Sequence, residues 1–338
     1  MGKIEVKKYL EDFEKSNLPR NRQGVFVVDG INVTPHNFAK TPSEIHKNGI
    51  VQLSMGGKRA YGKVFTVYPF DLYDNGWNKG CITECVTGKA LNDLGVNSIM
   101  SYPIDISCVK RTDTGYGTVS QDLCSLDELL CAIGTDINPI LDIDFRKLIN
   151  RQLSKQKRDT WKILLNPRVK RKMLEVMTLD CYNDFVNMYI ADTMLGSLDR
   201  HSGNYFFVKN KGSKLWESVI ALDNEYTLAY KSMDYYGSEI RTSKDLANHV
   251  ITSTTLSQNP QNVCSNVSYL ERVKILRKLV EQGKFDKPQE ELITRIIDYD
   301  LPTTMRKFYS KYNIRHDEAI KLYDISSYIW EAGRENLR

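Results

Sequence analysis

The chain has 338 residues, 41% of them hydrophobic types and 26% charged, with a formal net charge of +5. That is the composition of a globular protein long enough for two lobes and a sizeable core, and a balance this mild does not mark a nucleic-acid binder. Seven cysteines, scattered and odd in number, and five histidines with no His-x-x-x-His pair argue against zinc and against a disulfide framework, which points to a reducing cytosol.

Met1 to Ser16 mixes Lys and Glu and has no apolar core, so no secretory signal is legible. Gly2 follows Met1, but Val6 breaks the myristoylation pattern, and no apolar run is long enough for a membrane span. The expected location is therefore cytoplasmic.

Residues 24–28 read as a strand followed by an Asp29-Gly30 turn, and residues 50–53 as another. Gly56-Gly57 looks like a hairpin turn leading into a strand near Tyr61 to Tyr68. From Cys81 to Leu94 apolar residues recur at helical spacing (Ile82, Cys85, Val86, Ala90, Leu91, Leu94), and Gly95 follows as a stop. Strands follow at Ile104 to Val109 and Gly117 to Leu123, with a turn over Arg111 to Gly115.

After Ser125 the pattern becomes helical. Ser125-Leu126-Asp127-Glu128 resembles a capping box and predicts a short helix through Ile133. Residues 141–165 read as further helix, and Leu174 to Leu195 as one long periodic run. Two apolar strands, Tyr205 to Val208 and Val219 to Leu222, are joined by a polar turn over Lys209 to Lys214. Residues 232–268, rich in Ser, Thr and Asn, read as loop. Helices are expected at Tyr269 to Gln282, Gln289 to Tyr299, Thr303 to Lys311 and Asp317 to Ala332.

The most informative stretch is Asp199-Arg200-His201-Ser202-Gly203-Asn204, set between the long helix and the first apolar strand. Asp223 ends the second strand. An Asp, an Asn five residues later and a second Asp on the next strand form the layout of a phosphotransfer site. The first Asp can orient or deprotonate an acceptor hydroxyl. The Asn and second Asp can hold magnesium, which takes oxygen ligands and leaves positions for water and phosphate. An isolated Asp-to-Asn spacing is weak evidence; the helix-loop-strand placement is what argues against chance.

The stretch Tyr189 to Asn204 resembles the catalytic helix and loop of HipA-like serine/threonine kinases, most nearly the small cell-translocating-kinase type. Gly56 to Lys63 resembles the hairpin leading to the nucleotide lysine, Gly80 to Glu84 the start of the helix carrying its glutamate partner, and Gly117 to Leu123 the strand beside the adenine. The resemblance covers residues 50–225. It implies an α+β, two-lobed protein-kinase-like fold: a β-rich N-lobe over residues 1–124 and a mostly helical C-lobe over residues 125–338. It implies ATP and Mg2+ as cofactors, Asp199 as catalytic base, and Asn204 and Asp223 as metal ligands. Lys63 would contact the α and β phosphates and pair with Glu84, with Lys58 as the alternative lysine. Backbone groups of Gln121 and Leu123 would meet the adenine edge, and His201 would organise the loop.

The implied activity is phosphorylation of Ser or Thr on a protein substrate, with self-phosphorylation. An antitoxin-like or host-protein partner and delivery to another cell by a non-classical route come with the same resemblance. Phosphoinositide kinases share Asp-Arg-His-x-x-Asn, so a lipid or small-molecule acceptor is the alternative, and a pseudokinase the third. The basic cluster from Lys155 to Lys172 bears on the lipid reading, as a docking face or a solvated helix. Two departures stand out. Asn224-Glu225 follows Asp223 where the family has a small or aromatic residue and then Gly, and the region that should cover the phosphates, 40–49, is poor in Gly.

Overall fold

Six strands between Phe26 and Gln121 build one sheet, with Tyr116–Gln121 and Lys58–Lys63 at its centre and the latter paired in turn with Ile50–Met55. The computed structural model describes residues 20–22, 25–27, 34–35, 50–55, 58–63, 77, 79–105, 116–123, 126–134, 161, 164–197, 200, 203–224, 227–228, 269–314 and 316–338. Strands β3 (Ile50–Met55) and β4 (Lys58–Lys63) pair antiparallel in a register that sets Met55 opposite Lys58. Gly56-Gly57, the expected turn, lie outside the described residues. With β1 (Phe26–Val27), β2 (Thr34–Pro35), β5 (Ser101–Asp105) and β6 (Tyr116–Gln121), the sheet order is β1-β5-β6-β4-β3-β2. All its pairs are antiparallel except β1 with β5.

Helix α1 (Lys79–Asp93) packs on this sheet. It stops at Gly95, whose φ of +80° suits a residue without Cβ. The Val96 N–H bonds the Leu91 carbonyl at 2.8 Å and the Gly95 N–H bonds that of Asn92 at 3.0 Å, so a Schellman motif closes the helix. The next segment, 97–99, crosses onto the second sheet: the Ile99 N–H bonds the Ala221 carbonyl at 2.9 Å, and the Ala221 N–H bonds that of Asn97 at 3.0 Å.

That second sheet has the order β7-β8-β9, from Leu129–Ile133, Tyr205–Asn210 and Ser218–Ala221. Behind it runs helix α3 (Leu179–Met194), preceded by the short α2 (Pro167–Met173). Every α3 residue from Cys181 to Met194 is buried, so the helix is surrounded. Four further helices follow among the described residues: α4 (Tyr269–Glu281), α5 (Lys287–Asp298), α6 (Leu301–Lys311) and α7 (His316–Leu337). One core cluster runs from Cys81 and Val86 of α1 through α3 to Trp330 of α7. Among the described residues no helix is long and apolar enough to cross a membrane.

Two expectations are corrected. The capping-box helix through Ile133 is absent, because Leu129–Ile133 forms β7, paired antiparallel with β8 from Leu129↔Asn210 to Ile133↔Phe206. A five-residue apolar run reads equally well as strand or helix turn until a partner strand supplies the ladder. The long run from Leu174 is broken as well. Met177 bridges Trp216, the Thr178 N–H bonds the Trp216 carbonyl at 2.8 Å, and the Thr178 side chain caps α3 by accepting from the Cys181 N–H at 3.1 Å. The strand beyond Lys63, most of residues 141–165 and the loop 232–268 lie outside the described residues.

Gly88 marks where α1 approaches the 97–99 segment most closely. A Cβ there would stand 2.7 Å from the Ile99 carbonyl oxygen, a backbone atom with little freedom to move. Gly88→Ala should therefore lose about 1–2 kcal/mol in a urea melt, the clash outweighing the roughly 1 kcal/mol that Ala adds in a helix.

Candidate active site

A cavity of about 390 Å³ lies between the two sheets. Lys63, the last residue of β4, opens into it from between Ile50 and Thr118. Its Nζ stands 2.5 Å from Asp223 Oδ1 and 3.8 Å from Glu84 Oε2. Lys58 sits at the opposite end of β4 beside the hairpin, five residues or roughly 17 Å away along the strand. The structure thus brings Lys63 into the cavity with Glu84 and Asp223.

Glu84 projects from α1 with only 3% of its surface exposed. A buried carboxylate needs compensation. Lys63 supplies opposite charge, and the Ser101 hydroxyl donates to Glu84 Oε1 at 3.3 Å.

Alternation along β6 sets Thr118 and Ser120 on the cavity side, continued by Asp122 beyond the strand. Gln121 is the last residue of β6, opposite Ala60. Leu123 is buried, lines the cavity and accepts the Leu126 N–H on its carbonyl at 3.2 Å. Ile99, Phe206 and Leu222 add apolar surface.

The other wall carries Gly203, Asn204 and Asp223. Asp223 has a φ of +50°, the left-handed region, which Asp tolerates better than most residues. The sharp bend leaves the Asp223 side chain 35% exposed at the cavity while the next residue, Asn224, is fully buried.

Arg200 holds this bend. Its side chain is buried, and its five N–H groups meet five acceptors. Nε donates to Asp192 Oδ2 at 2.9 Å, and Nη2 to Asp192 Oδ1 at 3.2 Å and to Asn224 Oδ1 at 2.6 Å. Nη1 donates to the Asn204 carbonyl at 2.7 Å and to the Leu222 carbonyl. Burial pushes the Asp192 carboxyl up while Arg200 pulls it down, and Asp192 in turn keeps the guanidinium charged. Asn224 Nδ2 donates to Ser98 Oγ at 2.9 Å, and the Leu222 N–H bonds the Asn204 carbonyl at 2.8 Å.

Sequence reasoning assigned no role to Arg200 and treated Asn224 only as a departure. A signal was present: Asp192, a lone carboxylate in a run of apolar and small residues, requires a buried cation. Asp199, His201, Glu225 and residues 40–49 lie outside the described residues.

The donors on this wall, one amide and one carboxylate, are hard oxygen ligands suited to magnesium. Two such donors leave the remaining positions of an ion's shell to other oxygen ligands.

No protein-family model matches the chain. Over 150 residues it is 28% identical to the serine/threonine-protein kinase CtkA of Helicobacter pylori, a stretch covering 44% of this chain and 40% of that kinase. The crystal structure of the H. pylori proinflammatory kinase CtkA superposes with a TM-score of 0.54 at 14% identity, over 93% of this chain and 98% of that one. HipA of Shewanella oneidensis MR-1, in a structure with HipB and operator DNA, aligns at 11% identity over 98% of this chain and 71% of that one. Its TM-score of 0.44 does not by itself establish a shared fold. The chain has the α+β, kinase-like fold of CtkA, the type of kinase its sequence resembles.

Replacing Arg200 with Ala should cost about 3–5 kcal/mol in a urea melt, because Asp192 would be left buried without its cation. Asn224→Ala, which removes two bonds but no charge, should cost about 1–3 kcal/mol.

Proposed function

We propose that this chain is an ATP- and Mg2+-dependent phosphotransferase, specifically a serine/threonine protein kinase of the HipA-like kind that also phosphorylates itself. The observation that carries this reading is the meeting of Lys63, Glu84, Asn204 and Asp223 on one cavity.

The cavity's 390 Å³ lies in the range of small-molecule sites, roughly 300–1,000 Å³. Its apolar surfaces, Ile99, Leu123, Phe206 and Leu222, suit the faces of a purine. Backbone groups of Gln121 and Leu123 would meet the base edge. Lys63, oriented by Glu84, would hold the α and β phosphates. Asn204 and Asp223 would hold Mg2+, which would supply positive charge to offset that of the phosphates. Asp199 would take the proton from the acceptor hydroxyl as its oxygen bonds to the γ-phosphorus and the bond to the β-phosphate oxygen breaks, releasing ADP. Positioning and charge neutralisation supply the rate enhancement in this scheme.

The acceptor in this reading is a Ser or Thr hydroxyl on a protein. The match to a serine/threonine-protein kinase supports that choice over a lipid or small molecule. An antitoxin-like or host-protein partner accompanies this reading.

The test is incubation of the purified chain with labelled ATP, Mg2+ and a mixed protein acceptor. Label is expected on Ser or Thr, in the chain itself and in the acceptor. Asp199→Ala should lower transfer by about 10²–10⁴-fold while ATP still binds. Wild-type transfer by that variant would overturn the assignment of the base. Label moving only to lipid or a small molecule would overturn the protein acceptor, and ATP binding without any transfer would make the chain a pseudokinase.

A second prediction separates the metal from the base. Asp223→Ala should lose the Mg2+ dependence of nucleotide binding, read by titrating ATP with and without Mg2+, whereas Asp199→Ala should keep it.

A further inference from the structure

Lys63 stands between two carboxylates that it meets in different ways. Its ammonium donates to Asp223 Oδ1 at 2.5 Å, a charge-assisted hydrogen bond. From Glu84 Oε2 it is 3.8 Å away, an ion pair beyond hydrogen-bonding distance. The tighter contact is thus with the residue proposed to hold the metal. The looser one is with the residue proposed to orient Lys63.

The two carboxylates sit on backbone that other contacts hold. Glu84 belongs to α1, and its side chain is 4% exposed. Asp223 lies at the bend that Arg200 fixes through the Leu222 carbonyl and the Asn224 side chain. Lys63 is the adaptable member of the three. Its four-carbon stem carries an ammonium with three rotatable N–H donors, so a change of rotamer redirects it.

An ammonium hydrogen-bonded to Asp223 Oδ1 obstructs that oxygen as a metal ligand. A divalent cation on the same carboxylate meets a like charge a few ångströms away and has to take the oxygen from Lys63. The obstruction is lifted when another anion takes the ammonium. Phosphate oxygens do this well, since hydrogen bonds between charged partners are among the strong ones. Glu84, on the other side of the ammonium, still balances its charge after the exchange.

We propose that Lys63 is a lock on the metal position. Its ion pair with Asp223 opposes a divalent cation, and the phosphates of a nucleotide release the lock by drawing the ammonium off Oδ1. Cation and nucleotide then bind as a coupled pair. The release rests on the nucleotide reading given above; the obstruction by Lys63 does not.

The probe is Mn2+ added to the full chain without nucleotide. Mn2+ takes the same kinds of oxygen ligand as Mg2+, and its free-ion electron paramagnetic resonance signal is lost on binding. Lys63→Met should bind Mn2+ at least about fivefold more tightly than the wild type. Lys63→Arg, which keeps the charge, should bind it no better than the wild type. Lys63→Met takes a cation from beside the buried Glu84. Lys63→Met/Glu84→Gln, which removes both charges, is therefore measured with it and should show the same gain. Adding Asp223→Ala to that double variant should abolish the gain, which ties it to the released carboxylate and not to net charge. Equal Mn2+ affinity in the wild type and the Lys63→Met variants would overturn the lock, as would a gain that survives Asp223→Ala. Adenosine, a base without phosphate, should leave wild-type Mn2+ affinity unchanged; tightening by adenosine would overturn the part given to phosphate. A chain whose variants gain Mn2+ but which never binds ATP would keep the obstruction and overturn the nucleotide reading. A wild type that binds ATP, and Mn2+ as tightly as the variants do, would keep that reading and overturn the lock.

Discussion

The fully buried ion pair of Arg200 with Asp192 is the constraint on which the site depends. A guanidinium out of water is tolerable only when its charge is balanced and every N–H has an acceptor. Here the balancing carboxylate comes from α3, and the remaining acceptors from three places: the Asn204 carbonyl, the Leu222 carbonyl and the Asn224 side chain. Those are the backbone of one proposed metal ligand and the two neighbours of the other. Satisfying one cation therefore fixes the spacing between Asn204 and Asp223.

The same network reaches the first sheet. Asn224 passes from Arg200 to Ser98, and Ser98 lies in the segment that bridges Ala221 before entering β5. Asn97 Nδ2 donates to Ser218 Oγ at 2.7 Å, and Ser218 donates to Asp184 of α3 at 2.9 Å. Beyond the bend, Thr227 Oγ1 lies 2.5 Å from Thr87 Oγ1 on α1. The helix carrying Glu84 and the strand leading to Asp223 are thus held by hydrogen bonds with little exposure to water. Asn224 acquires a physical meaning in this setting. After Asp223 this chain places a two-ended polar side chain that clasps Arg200 on one side and Ser98 on the other. Such a clasp stiffens the backbone on which Asp223 holds its left-handed conformation.

Glu84 sits at the centre of a second set of relationships. It faces Lys63 in front and Ser101 beside it, and the next residue, Cys85, lines a second cavity behind the helix. Its helix is held against the 97–99 segment by the close approach at Gly88 and ended by the positive φ of Gly95. One carboxylate of 3% exposure is therefore positioned from several directions at once, and a lysine ammonium 3.8 Å away is the group that responds.

Local pattern was enough for much of this. The helix of Glu84 and its stop at Gly95, the β3–β4 hairpin, and the paired strands around Asn204 and Asp223 were legible because periodicity and turn chemistry act over a few residues. The stretch from Asp199 to Asn204 was legible because hard oxygen donors at that spacing suit the proposed magnesium and phosphate chemistry. Tertiary structure decided the remainder. It made Leu129–Ile133 a strand, because β8 offered a ladder that no local cap could match. It broke the run after Leu174, because Trp216 claimed the backbone there. It set Lys63 rather than Lys58 beside Glu84, a choice that spacing left open. Arg200 and Asn224 acquired their importance in the same way. A hydrogen bond between residues distant in sequence leaves no periodic trace, and what such a group costs or contributes depends on burial, which exists only once the chain has folded.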